Sequence, residues 1–393
     1  MQSIPLPIVL DALSAAERTA LLEKASLQGL SDIFAAVPDP RSRHGQRYTL
    51  PFLLTCLVAA LLCNCNSMDA VGQWCREHRS LVRRALGPRR FLTPTGSLYR
   101  RLLPRLSVPH LEGAISAWLQ ASRPQPDAEA VALDGKTLRR AGAADEPKPH
   151  LLSIATHQTR ETLVQVRVAD KTNEIPVAQA LLAWVPLAGR VVTADALHGH
   201  PAFAQAVLDQ GGDYLLCLKA NEPHAHDAII QYFADSDAVI TQASTRDRQH
   251  GRIERRTLRA STELNDYLTT FPALAQVAEV TRVVQEGEKV QREVRYYLTS
   301  CPCRQVDAAA FLGLVRAHWS IESGHWIRDE VFGEDRCQIR TGHAPQILAA
   351  LRNLVVTLIR RTGTAAITAT RRHLAAHPAQ AFALLRRKAR SPR

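Results

Sequence analysis

The chain has 393 residues, 46% of them apolar, which is enough to bury a sizeable core and long enough for two or three structural units. Lys and Arg number 49 against 37 Asp and Glu, a formal charge of +12 that favours an acidic partner, nucleic acid before any other. The longest apolar run, from Leu50 to Cys63, is 14 residues, short of the roughly 18 that a membrane span requires, so it is read as a buried helix and no membrane partner is expected.

In chain order, the N-terminus has neither a basic leader nor a small-residue cleavage site, and a cytoplasmic protein is expected. Residues 1–120 carry apolar side chains at three-to-four-residue spacing over 15–26, 50–63, 68–86 and 98–106, which predicts an all-helical N-terminal domain. A Pro- and Arg-rich loop, 37–49, separates the first two helices. Thr95 or Ser97 can cap the helix that follows, from which Tyr99, Arg100 and Arg101 are expected to project in a layout compatible with docking on DNA. The proline-containing stretch 121–129 reads as a linker.

Beyond it the texture becomes β-rich. Short strands are predicted at 130–135, 151–158 and 162–170, then helix 176–185, strand 190–197, helix 201–212 and strand 213–219. That order implies a mixed α/β sheet covered by helices. Strands return over about 246–300, as an insertion, before long helices at 308–361 and a basic tail at 363–393. The eight cysteines, including the pairs Cys63/Cys65 and Cys301/Cys303, lack zinc-knuckle spacing and read as small hydrophobes.

Two aspartates stand at the ends of predicted apolar strands, Asp134 before Gly135 and Asp195 in "RVVTADALHGH". In open α/β sheets the carboxyl ends of strands are where ligands bind, and neighbouring carboxylates tolerate one another when a cation lies between them. Hard oxygen donors favour Mg²⁺ or Mn²⁺. In "RAHWSIESGHWIRDEVFGEDR", at about 100° per residue, His318, Glu322, His325 and Asp329 fall on one helical face among Trp319, Ile321, Trp326 and Ile327. Two imidazoles and two acids beside tryptophans suggest a partly enclosed site rather than a solvated face. Lys136, Arg139 and Lys219 follow the acid-bearing strands, and Arg336, Arg340 and Arg352 extend a basic tract, all as candidate phosphate contacts.

The blocks "VALDGKTLR", "TNEIP", "VVTADALH", "DYLLCLKANEP", "HGRIERRTL", "HWSIE" and "RDEVFGEDRCQIRTGHAPQILAALRNLVVTLIR" together resemble, in order, bacterial insertion-sequence transposases of the DDE type, similar to the H-repeat-associated proteins. "DPRSRHGQRYTLPFLL" and "LTPTGSLYRRLL" resemble the helical domain associated with them, so the likeness runs over about residues 25–362. It implies an RNase H-like core with a β-rich insertion, catalytic and metal-binding residues Asp134, Asp195 and Glu322, two divalent ions, and cleavage and joining of double-stranded DNA by a dimer at the nucleoid. Many related transposases carry a Y-x2-R-x3-E-x6-K signature, where this chain has Val315, His318, Glu322 and Asp329; a hairpin intermediate is therefore not inferred. His200 stands where the family leads one to expect glutamine. The alternatives are a DNA-binding protein without catalysis, or a different RNase H-like nuclease; inverted repeats flanking the gene separate the first, and preference for junction DNA the second.

Overall fold

A computed structural model describes residues 29–87, 93–122, 129–139, 141, 148–168, 174–235, 237–249 and 251–386. The helix expected at 15–26, most of the linker and the last residues of the expected tail lie outside them.

The first elements are helices: α1 Leu30–Ile33, α2 Leu50–Leu62, α3 Met68–Glu77, α4 Arg79–Leu86, α5 Gly96–Leu102 and α6 Val108–Ala121. Side chains of Thr49, Ser67 and Thr95 accept the orphan N–H groups that open α2, α3 and α5. The apolar run forms α2 and is buried on every side, as its composition requires.

Then follow β1 Val131–Thr137, β2 His150–Thr156, β3 Thr162–Val168, α7 Glu174–Leu182, β4 Val191–Ala194, α8 Pro201–Leu208, β5 Asp213–Leu218, α9 Pro223–Ala234, β6 Thr241–Gln249, β7 Arg252–Ser261, β8 Gln276–Glu286 and β9 Lys289–Thr299. The chain closes with α10 Ala308–His318, α11 Ser320–Trp326, α12 Ala344–Arg360, α13 Ile367–Ala376 and α14 Pro378–Leu385. All strands form one sheet in the order β3-β2-β1-β4-β5-β9-β8-β7-β6. β1, β4 and β5 are parallel; every other pairing is antiparallel. The mixed sheet is as expected, and the inserted strands lengthen it rather than forming a second one. α9 and the edge strand β6 were not anticipated.

Alternation along the strands sends side chains to two faces. Val131, Leu133, Ile154, Val192 and Leu216 pack under α7, α8 and α9. Val191, Leu215 and Ala278 meet Phe311 and Val315 of α10, while Ala132 and Ala155 meet Ile321 of α11.

The helical part differs from expectation in its composition. Its core joins α1 to α6 with α12, α13 and α14, so it draws on both ends of the described chain. α12 is the shared spine, with 15 of its 17 residues buried. The segment expected as a basic tail instead inserts Ile367, Leu374, Phe382 and Leu385 into this core. Arg371, wholly buried, donates to the Leu61 carbonyl at the end of α2, to the Val331 carbonyl and to Asn66 Oδ1, with its guanidinium 3.9 Å from the centre of the Phe332 ring. A cation at a helix C-terminus is favourably placed.

Candidate active site

The parallel register of β1 and β4 pairs Val131 with Val192, Ala132 with Thr193 and Leu133 with Ala194. The next residues are Asp134 and Asp195. Asp134 was expected to end its strand and does not: β1 continues to Thr137 along β2, and what ends just before Asp134 is its pairing with β4. Asp195 caps a short 3-10 turn, its Oδ1 accepting from the Leu197 N–H at 3.2 Å. Asp134 Oδ1 accepts from the Gly135 N–H at 2.8 Å. Burial, joined by the charges of Asp195, Glu322 and Glu174, pushes the Asp134 carboxyl up to about 7 against that hydrogen bond.

The helix expected to carry the polar stripe is broken at Trp319, and after Trp326 it widens into a π-helical turn over Ile327–Val331. Its polar residues still track the sheet. His318 is buried and shares a hydrogen bond between its Nδ1 and Thr193 Oγ1 at 2.9 Å; burial lowers its pKa to about 4. His325 Nδ1 lies 3.6 Å from Asp134 Oδ2, and Asp329 Oδ2 accepts from Lys136 Nζ at 2.5 Å. Four helical residues rise about 6 Å and two strand residues about 6.6 Å, so one stripe can meet alternate residues of β1. Burial, then the charges of Arg328 and Lys136, drop the His325 imidazole to about 2, which keeps it neutral. Glu322 is exposed and lines a groove of about 270 Å³ with Arg256, Arg282, Arg295, Arg316 and Trp319, the Arg295 guanidinium 4.4 Å from the ring centre.

Several expected DNA contacts prove internal. Tyr99 does not project: it is fully buried, its hydroxyl donating to the Leu53 carbonyl at 3.0 Å, because Gly96, Tyr99 and Leu102 share the inward face of α5. Lys136 is buried against Asp329 and Arg352 against Glu334 at 3.1 Å, so neither is free for phosphate; His318, expected on the polar face of the site, is buried under β4. Arg100 is exposed but paired bidentately with Asp69, and Arg101 is exposed. Arg139, Lys219, Arg336 and Arg340 are exposed. His200 Nδ1 meets Glu222 Oε1 at 2.7 Å. The arginines of the inserted strands that line the Glu322 groove, Arg256, Arg282 and Arg295, were missed: each stands on a different strand, and only the sheet register brings them together.

The donor set fits a hard divalent cation in kind and charge, since Asp134, Asp195 and Glu322 are all carboxylates and the charges of the last two act on the half-buried Asp134. Among the described residues, however, no group of three or more His, Cys, Asp or Glu side chains is gathered closely enough to hold a metal ion. All eight cysteines are free thiols, five of them buried.

The DDE_Tnp_1-associated family model matches residues 31–119, and that of the Transposase DDE domain matches residues 125–358. The chain is 27% identical over 349 residues to "Putative transposase YncI" of Escherichia coli O157:H7, covering 85% of this chain and 88% of that protein. It is 23% identical over 352 residues to "H repeat-associated putative transposase YhhI" of Escherichia coli K12, covering 85% and 90%. Among solved structures, a piggyBac transposase synaptic complex with hairpin DNA aligns with a TM-score of 0.44 and 11% identity, over 98% of this chain and 82% of that one.

Proposed function

Because the chain belongs to the DDE transposase family, we propose that it binds the ends of its insertion sequence and cuts and joins DNA there, with Asp134, Asp195 and Glu322 as the catalytic triad. The observation that most supports this reading is the register: the two aspartates directly follow the paired residues Leu133 and Ala194, and the charges of Asp195 and Glu322 both reach Asp134. These carboxylates would hold Mg²⁺ or Mn²⁺, two ions by the family's pattern. When bound, such ions activate a water or a 3′-hydroxyl and stabilise the departing oxygen in an in-line attack on a phosphodiester.

The chain's own residues prepare that chemistry. Asp134 exchanges its proton near neutrality, so it releases it readily on meeting a cation. His325 stays neutral beside it and adds no competing charge. The Lys136 to Asp329 pair fastens the end of the glutamate-bearing segment to β1. Arg256, Arg282, Arg295 and Arg316 line the groove next to Glu322 but are each paired with Asp247, Glu254 or Glu293, so a phosphate there would exchange for those carboxylates, while the exposed Arg139, Lys219, Arg336 and Arg340 offer further phosphate contacts.

The antiparallel β3-β2-β1 unit continued by parallel β4 and β5 supports an RNase H-like core over about 130–362, with β6 to β9 as its insertion. The helical unit is assigned to end binding, and a dimer on DNA in the cytoplasm completes the reading. The test is Mg²⁺-dependent cleavage and joining of DNA bearing the flanking repeats. Asp134→Ala, Asp195→Ala and Glu322→Ala should each abolish both steps while leaving repeat binding intact; retained activity in any of them removes that residue from the triad.

A further inference from the structure

Pairing between β1 and β4 stops at Leu133 and Ala194, so the sheet's own hydrogen bonds do not fix Asp134 against Asp195. On the face of β1 away from Glu322, one side chain spans that gap. Glu174, at the start of α7 and only 6% exposed, places Oε2 at 3.2 Å from His150 Nε2 and Oε1 at 3.4 Å from His198 Nε2. His150 opens β2 opposite Thr137 of β1, and its Nδ1 meets Thr137 Oγ1 at 2.9 Å. If the threonine hydroxyl donates there, Nε2 carries the ring hydrogen, which lies close to Glu174 as an electrostatic contact rather than an aligned hydrogen bond.

His198, 1% exposed, ends the turn that Asp195 caps, and its N–H donates to the Asp195 carbonyl at 3.1 Å. Its ring packs on Phe203 with centroids 5.4 Å apart. Gly135, the neighbour of Asp134, lies directly over this cluster: a Cβ there would collide with the His150 ring and meet Glu174 Oε1 at 3.0 Å. A carboxylate facing two imidazoles resembles a metal-ligand set, but among the described residues no three such groups are gathered for an ion. What they make is a brace.

We propose that Glu174 is a positioning residue that holds the Asp134 strand and the Asp195 turn at a fixed separation from beneath the sheet. This rests on the assignment of those aspartates to the triad. Glu174 touches neither substrate nor the reacting atoms; it acts through His150 and His198.

The experiment compares wild type, Glu174→Gln, Glu174→Ala and Asp134→Ala in the full chain. Hydrogen exchange by mass spectrometry is followed in peptides covering 131–137 and 195–200, Mn²⁺ binding is read by electron paramagnetic resonance without DNA, and cleavage is titrated with Mg²⁺. Glu174→Ala should speed exchange in both peptides together, weaken Mn²⁺ about 10- to 100-fold and raise the Mg²⁺ requirement equally, with end-DNA affinity unchanged and excess metal restoring the rate. Glu174→Gln, whose amide oxygen can accept from one imidazole only, should show a smaller loss and carries the comparison if the alanine variant does not fold. Wild-type exchange and metal requirement in the glutamate variants, beside an inactive Asp134→Ala, would overturn the brace alone. An active Asp134→Ala would instead remove the triad assignment beneath it.

Discussion

Glu112 and Asp134 are both carboxyl groups withdrawn from water, one at the seam between the helical unit and the sheet, the other where β1 parts from β4. Burial pushes both up, to about 8 and about 7. Their neighbours differ. Glu112 Oε1 accepts from Gln165 Nε2 at 2.7 Å, and Gln346 Nε2 reaches its two oxygens at 3.1 and 3.2 Å. Asp134 has no such amide among the described residues, only the Gly135 N–H and His325 at 3.6 Å, and it feels the charges of Asp195, Glu322 and Glu174. A buried acid ringed by amides is a finished joint between α6, β3 and α12; one raised by neighbouring negative charges keeps an unmet electrostatic demand, which the proposed cation would answer.

The contrast can be broken by substitution. Asp134→Asn should lower DNA cleavage by about a thousandfold or more, which is about 4 kcal/mol of barrier, while Glu112→Gln should leave the rate near that of wild type. Stability should respond the other way. Glu112→Ala strands the amides of Gln165 and Gln346 in a dry seam and should cost about 2–3 kcal/mol in chemical denaturation.

A smaller effect concerns pH. The folded-state pKa of Asp134 lies above its ordinary value of 3.8, so its stabilising share is fully present below about pH 4 and is lost as pH rises through about 7. Asp134→Asn should therefore be the more stable protein at pH 8, by about 2 kcal/mol, with no advantage below pH 4. Glu112→Gln should flatten the corresponding loss between about pH 4.5 and 8. The smallest effect is a rise of a few degrees in wild-type melting temperature on adding Mg²⁺ at pH 8, kept by Glu112→Gln and absent from Asp134→Asn. A rise of equal size in Asp134→Asn would place the cation elsewhere.

Much of this was legible beforehand because it is local. Apolar strands followed by Asp134 and Asp195 carry their own pattern, and the four-residue spacing of His325 and Asp329 still sets them along β1 against Asp134 and Lys136 despite the π turn, whereas Glu322 lines the groove beside Trp319. What resisted reading depends on distant partners. Lys136 resembled a phosphate contact until Asp329 claimed it, and Arg352 until Glu334 did. Glu174 lay inside a quoted block without a role, since its partners come from β2 and from the turn after β4. Tyr99 was a misjudged phase, for its spacing from Gly96 and Leu102 already marked an inward face. β6 lacks an apolar alternation because it is the edge of the sheet, where Thr241 and Arg246 are exposed and Asp247 pairs with Arg256 and with Arg316 of α10 in place of core packing.

The spine α12 has a further consequence for how the protein is made. A ribosome that has released only the first third of the chain has produced α1 to α6 without Ile347, Leu351, Leu354 or Phe382 to close over them. Their apolar faces must wait, exposed to chaperones, until synthesis has passed residue 385. A message cut short upstream of α12 would thus leave the early helices without the segments that complete their core.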